Sequence, residues 1–211
     1  MKSTLLISLF ISFQISLNYS FDYRLEYEIK DIDSDSIQLV NYYVNSKNND
    51  YFADIRKNMK SGYKFYFRDQ DKLTGQAIIN GNYKNPGTVI LHDSLTSTFS
   101  NMYDFKAKNY KIEKLKDTLI NSKRFARVIF KLINPKKAKR KKIGSHIYII
   151  DTTKVMKPLL TDPTILNIWR LNKNIPYGLI VEKQVYSSKG ELTWTEKLKE
   201  VNPVNFNLLI K

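Results

Sequence analysis

The chain has no cysteine among its 211 residues. Disulfides, thiolate metal sites, cysteine nucleophiles and a lipid-modified cysteine are excluded together. Histidine is nearly as scarce, with only His92 and His146. The seven glycines stand singly, so no glycine-rich loop can cradle a phosphate. No stretch is rich in Pro, Gly or Ser, and no internal repeat is present, so one domain is the simplest organisation. Arginine is scarce beside lysine, 7 against 28. That matters because arginine is the residue preferred for bidentate phosphate recognition. No apolar run reaches the roughly 20 residues needed to span a bilayer.

The longest apolar run opens the chain, in "MKSTLLISLFISFQISLNYS". Lys2 supplies a positive end, and Leu5 to Leu17 has the length and character of a secretory leader's apolar region. The expected division is therefore a signal peptide over 1–20 and a single β domain over 21–211. Cleavage after Ser20 or after Asn18 fits the local sequence. An exported protein is expected, periplasmic or associated with the cell envelope, or extracellular.

What the chain has in excess is positive charge, +15 in all. Residues 36–150 carry 23 bases against eight acids, whereas residues 21–35 carry two bases against six acids. The densest run lies in "NPKKAKRKKIGSH": Lys136, Lys137, Lys139, Arg140, Lys141 and Lys142. Two strongly apolar segments, "RFARVIFKLI" and "HIYIID", flank it. The pattern predicts a long cationic hairpin loop, with Asn134-Pro135 ending the first strand and Gly144 easing the return. Export excludes a nuclear address and disfavours nucleic acid as a partner. The run is then either a solvated loop or a contact for an anionic surface, such as lipid or lipopolysaccharide head groups.

Period-two patterning dominates elsewhere. In "FDYRLEYEIK", Phe21, Tyr23, Leu25, Tyr27 and Ile29 alternate with charged residues. That is a strand with one buried and one wet face. "YKFYFRD" repeats it with Tyr63, Phe65 and Phe67. Further strands are predicted over 37–44, 51–57, 75–80, 87–92, 109–116, 178–186 and 191–201. The polar turns between them predict antiparallel meanders. One short helix is predicted in "TDPTILNIWRL", near 162–171. There Asp162 can cap, Pro163 occupies the first helical position, and Ile165, Ile168 and Trp169 share a face. The expected fold is mainly β: one strongly curved antiparallel sheet of about ten strands, a half-barrel, with that helix docked in its concavity.

Reaction chemistry is poorly represented. "LHDSLTST" sets His92, Asp93 and Ser94 side by side, but neighbours in a strand face opposite ways, so adjacency makes no triad. "DIDSDS" opens like a calcium loop, yet Ser36 stands where glycine is required and Tyr42 where glutamate is. No enzyme activity, metal or cofactor is expected. The aromatic residues, 14 Tyr, 11 Phe and 2 Trp, are more informative. They read either as ordinary core or as the lining of a cavity for an apolar or amphipathic, lipid-like ligand. The candidate lining residues are Tyr27, Phe65, Phe67 and Trp169. A monomer is expected.

The segments "YKFYFRD", "HIYIIDTTKVMKPLL" and "IPYGLIVEKQVYSSKGELTWTEKLKEV" give the chain a resemblance. In strand order, late helix and closing hairpin it resembles the lipoprotein-carrier superfamily of Gram-negative periplasms. Its "Pro-x-Gly-Leu-Ile" stretch is similar to the core of the GLPGLI family of secreted proteins, with Tyr177 inserted between Pro176 and Gly178. The resemblance implies an antiparallel half-barrel whose apolar concavity is covered by helical segments, and for the carriers it implies binding of acyl chains. The chain departs from the carriers at its start, where a strand at Phe21 replaces a helical region.

Overall fold

The computed structural model describes residues 16–57, 62–79, 83–84, 86–100 and 104–211. Most of the expected leader, up to residue 15, lies outside the described residues, as does the last residue of the strand expected over 75–80. Among the described residues the chain forms one open sheet of twelve strands. The first five are β1 (Leu17–Asp31), β2 (Ile37–Asn45), β3 (Asn48–Lys57), β4 (Tyr63–Asp69) and β5 (Leu73–Ile79). β6 (Thr88–Leu91) and β7 (Thr96–Thr98) follow, then β8 (Tyr110–Ile120) and β9 (Lys123–Leu132). Helix α1 (Pro135–Arg140) leads to β10 (Ser145–Asp151), and helix α2 (Pro163–Asn172) to β11 (Leu179–Tyr186) and β12 (Leu192–Ile210).

The order across the sheet is β7-β5-β4-β3-β2-β1-β12-β11-β10-β9-β8, with β6 on the side of β12. The pairs are antiparallel, as the short polar turns predict, except that β6 runs parallel to Asn207–Ile210 of β12. A parallel pair needs a long connection, and more than a hundred residues separate these two strands. The antiparallel half-barrel is thus present, and β7 is the strand not expected from the sequence. The three-residue β7 was too short to leave a pattern. β12 runs on to Ile210 rather than stopping at residue 201, because a register shift opposite Phe21 and Tyr23 absorbs Pro203.

That same shift re-aims the side chains of β1. Tyr19 and Phe21 pack into one cluster with Phe65, Phe67 and Phe206, whereas Leu25 and Tyr27 pack into another with Val40, Tyr42 and Met156. β6 folds over the first cluster. Leu91 approaches β5 so closely that a Cβ on Gly75 would displace its side-chain end.

α2 forms as its sequence dictates. Asp162 accepts from the amides of Thr164 (2.8 Å) and Ile165 (3.3 Å), Pro163 starts the helix, and Lys173 closes it in the left-handed conformation. Its apolar face, Ile165, Leu166, Ile168 and Trp169, packs against Val128, Tyr148, Ile150 and Ile180 of the sheet. The far side is tied to the first strands. Arg170 bridges Asp50 (2.6 Å) and Asp71 (2.7 Å), Asn49 donates to the Pro158 carbonyl, and Gln70 donates to that of Leu160.

The basic segment differs from expectation. Asn134–Arg140 is a capped helical turn and not an open loop. The Asn134 side chain accepts from the Lys137 amide at 3.0 Å, and Pro135 opens the helix. Proline here both ends β9 and starts α1. Gly144 then lets the chain return flush against β11, where a Cβ would stand 1.8 Å from the Tyr186 carbonyl oxygen.

Candidate functional site: the cleft beneath α1

Strand register builds one cross-sheet row: Ile112, Phe130, His146, Val185 and Trp194. Directly paired residues of antiparallel strands share a face. At the β8–β9 end, α1 and the turn after it overhang this face. A cleft lies beneath, in two halves of about 630 Å³ and 820 Å³ that share Tyr110, Phe130, Ile143 and Asp162. The Tyr110 and Phe130 rings stack with centroids 4.9 Å apart, and Leu132 continues the apolar floor. Burial, with the Asp162 carboxylate adding to it, pushes the Tyr110 hydroxyl up from its ordinary value.

The rim is cationic. Lys137 and Lys141 border one half, with Lys108, and Lys139 and Lys142 border the other, with Lys189. Asp162 and Glu191 are the carboxylates on the same walls. Asp162 is engaged in capping α2, and Glu191 accepts from the Ser187 hydroxyl at 3.2 Å. Among the described residues none of the six basic side chains of Lys136–Lys142 has a carboxylate partner. Four of the six, Lys137, Lys139, Lys141 and Lys142, therefore face an apolar cleft with uncompensated charge. Lys136 and Arg140 are exposed and border neither half.

Half-buried His146 stands on the wall, its ring 5.7 Å from that of Phe130, with Nδ1 buried and unpartnered. Burial first, and then the Lys183 ammonium, lower its pKa to about 4, against an opposing pull from Asp162. Lys183 itself is 8% exposed beneath the cleft wall. Its ammonium lies 4.8 Å from the Trp194 ring and 5.8 Å from the Tyr148 ring. Burial pushes its pKa down while Glu196 and Asp162 pull it up.

The four residues expected to line a cavity are dispersed. Phe65 and Phe67 are in the β1–β6 cluster, Phe67 also bordering a groove over β3–β5, Tyr27 in the middle one, and Trp169 on α2 in the third. All are 2% exposed or less. Tyr27 donates to the Ile180 carbonyl at 2.6 Å and Trp169 Nε1 to that of Ile175 at 2.7 Å, so their polar ends are satisfied inside the fold. Tyr110, Phe130, Leu132 and Ile143 were not singled out from sequence. Their signal was the β9 alternation Val128, Phe130, Leu132 next to a lysine-rich capped turn.

The trio at the start of β7 is a turn. His92 Nδ1 lies 2.7 Å from Ser94 Oγ and 3.1 Å from Asp93 Oδ1. Both partners share one ring nitrogen, whereas a triad needs the acid and the nucleophile on opposite nitrogens. Among the described residues no group of three or more His, Asp or Glu side chains could hold a metal ion. No helix among them is long and apolar enough to cross a membrane.

No protein-family model matches the sequence. No curated protein matches it. Solved structures do resemble the fold. Pseudomonas aeruginosa MucB, in complex with MucA, aligns at 8% identity and a TM-score of 0.43, over 88% of this chain and 52% of that one. An outer membrane lipoprotein-sorting protein domain from Vibrio parahaemolyticus aligns at 8% identity and 0.34, over 88% and 85%. A DUF1329 family protein from Desulfovibrio piger aligns at 8% identity and 0.34, over 90% and 87%. The chain spans about half the length of the MucB structures it matches.

Proposed function

We propose that this is an exported, non-enzymatic binding protein that takes an anionic amphiphile in the cleft beneath α1. The acyl or other apolar part lies on the Tyr110–Phe130 stack, with Leu132 and Ile143 around it. The phosphate or carboxylate meets Lys137, Lys139, Lys141 and Lys142. One observation carries the reading: four lysines without carboxylate partners overhang an apolar floor. Neither half of that arrangement is explained by stability. Unpaired cations gathered on one turn repel one another, and an apolar hollow leaves its lining atoms without contacts. An anionic amphiphile relieves both. The combined hollow is of the size that holds an acyl chain.

The test is a titration with lysophosphatidylglycerol against lysophosphatidylcholine of the same chain. The anionic lipid is expected to bind about tenfold more tightly, since several ion pairs to mostly exposed lysines, each worth about 0.2–1 kcal/mol, together reach about 1.4 kcal/mol. Alanine at the four lysines is expected to abolish that preference while weak chain binding persists. Equal affinity for the two lipids refutes the assignment.

A second reading has its own observation. Lys136 and Arg140 are exposed and border neither half of the cleft, which suits contact of α1 with an anionic envelope surface. Vesicles of anionic lipid distinguish it. If the surface reading holds, K136A/R140A weakens vesicle binding and leaves the lysolipid titration unchanged.

A further inference from the structure

The segment leading into α2 divides the sheet's face. Asp162 borders the α1 cleft, while its neighbour Thr161 borders a second groove of about 700 Å³ over β3–β5, closed at its rim by residues 94–97. Register places Asp54, Tyr66 and Gln76 in one row on this face, and Phe52, Arg68 and Thr74 in the next. The walls are polar where the other cleft is apolar.

Its two arginines are differently committed. Arg56 Nε donates to Asp54 at 2.7 Å, and its guanidinium lies 6.0 Å from the Tyr66 centroid. Arg68 has no carboxylate partner among the described residues. Its guanidinium carbon lies 5.7 Å from the Phe52 ring centroid and 5.3 Å from that of Phe99, and Nη1 donates to the Thr161 carbonyl at 3.4 Å. The two rings border the guanidinium, and that single hydrogen bond leaves most of its five N–H donors for a ligand. Beside it, the Thr74 and Ser97 hydroxyls meet at 3.1 Å, and Gln76 adds an amide to the same wall.

From this geometry we infer a second binding site, for a hydroxyl-rich small molecule bearing a phosphate or a carboxylate. Arg68 takes the anionic group, and Thr74, Gln76 and Ser97 take hydroxyls. Tyr66 offers a ring face to the carbon skeleton. Asp54 does not repel the anion strongly, because Arg56 already neutralises it. The inference does not rest on the reading of the α1 cleft, which uses other residues on the other side of α2.

Calorimetric titration of the folded protein with glucose 6-phosphate and with glucuronate tests it, with glucose and inorganic phosphate as controls. At least one acidic sugar is expected to bind at one site, about tenfold more tightly than either control. Which of the two binds identifies the anionic group. Arg68→Gln is expected to weaken that binding about tenfold or more, and Arg68→Lys, which keeps the charge but not the fork, by less. Amide shifts on binding are expected at Tyr66, Arg68 and Thr74. Far-UV circular dichroism establishes that both variants fold. Glucose or phosphate binding as tightly as the acidic sugars overturns the inference. So does unchanged affinity in folded Arg68→Gln, so do shifts centred on α1, and so does an absence of binding by either acidic sugar.

Discussion

Tyr110 and Phe130 lie face to face, 9° from parallel, one on each of the two strands that end the sheet. Phe130 is buried, but the pair forms the floor of an open cleft. Replacing Phe130 by Leu keeps an apolar side chain and removes the stack. The expected cost is about 1–2 kcal/mol of stability. Affinity for lysophosphatidylglycerol should fall several-fold, measured by titration alongside chemical denaturation.

The four cleft lysines are mostly solvent-facing, so their attraction for an anion is screened by salt. Raising ionic strength from about 0.05 M to 0.5 M, where the Debye length shrinks well below 10 Å, is expected to weaken lysophosphatidylglycerol binding. Lysophosphatidylcholine binding should hold. Parallel salt dependence for the two lipids would separate the lysines from the head group.

His146 makes stability depend on pH. Its folded pKa of about 4 lies below the ordinary histidine value of 6.5, so between these values the unfolded chain binds a proton that the folded chain does not. Stability is then full above pH 6.5 and declines as pH falls toward 4, by an amount on the order of 3 kcal/mol. His146→Leu is expected to flatten this part of the curve, read by urea unfolding at pH 7 and pH 5. The same slope in both proteins would assign the pH dependence to other groups.

Tyr19 is 6% exposed, and its hydroxyl donates to Asp69 at 2.9 Å. β1 pairs with β12 from Leu17 onward, so cleavage after Asn18 or Ser20 would cut into a paired strand. Chains that start at Leu17 and at Phe21 are therefore expected to differ in stability, checked by chemical denaturation of the two. A chain starting at Phe21 is expected to lose about 3 kcal/mol, from the buried Tyr19 ring and the hydrogen bond its hydroxyl donates to Asp69.

Arg170 fastens α2 to the first strands through two half-exposed carboxylates, donating to Asp71 at 2.7 Å from both Nη atoms and to Asp50 at 2.6 Å and 3.2 Å. Arg170→Ala is expected to cost about 1–2 kcal/mol, because solvent screens part of the network. At this chain length that corresponds to a melting-temperature drop of roughly 2–8 °C. Hydrogen exchange should quicken first over 158–172.

Much of this architecture is legible in the sequence because local chemistry and tertiary placement agree. The alternation in "FDYRLEYEIK" marks β1, and Asp162-Pro163 marks the start of α2. The same cap-plus-proline signature occurs at Asn134-Pro135, but there the lysines hid it: a run of like charges reads as a loop until its cap is recognised. The end of β12 was obscured because the bulge that tolerates Pro203 depends on a partner strand far away in sequence. Aromatic content marked a core without saying which rings would face open space. Tyr27 and Trp169 satisfy their polar atoms internally, whereas Tyr110 gained its role only when α1 was placed above β9.

The cleft beneath α1 is proposed to hold the apolar part of an anionic amphiphile. Photolabelling with a diazirine-bearing fatty acid, followed by mass spectrometry of the peptides, reads this directly. Labels on Tyr110, Phe130, Leu132 or Ile143, competed away by lysophosphatidylglycerol, are the expected result. Labels scattered over the surface, or confined to the exposed side of α1 at Lys136 and Arg140, would contradict it.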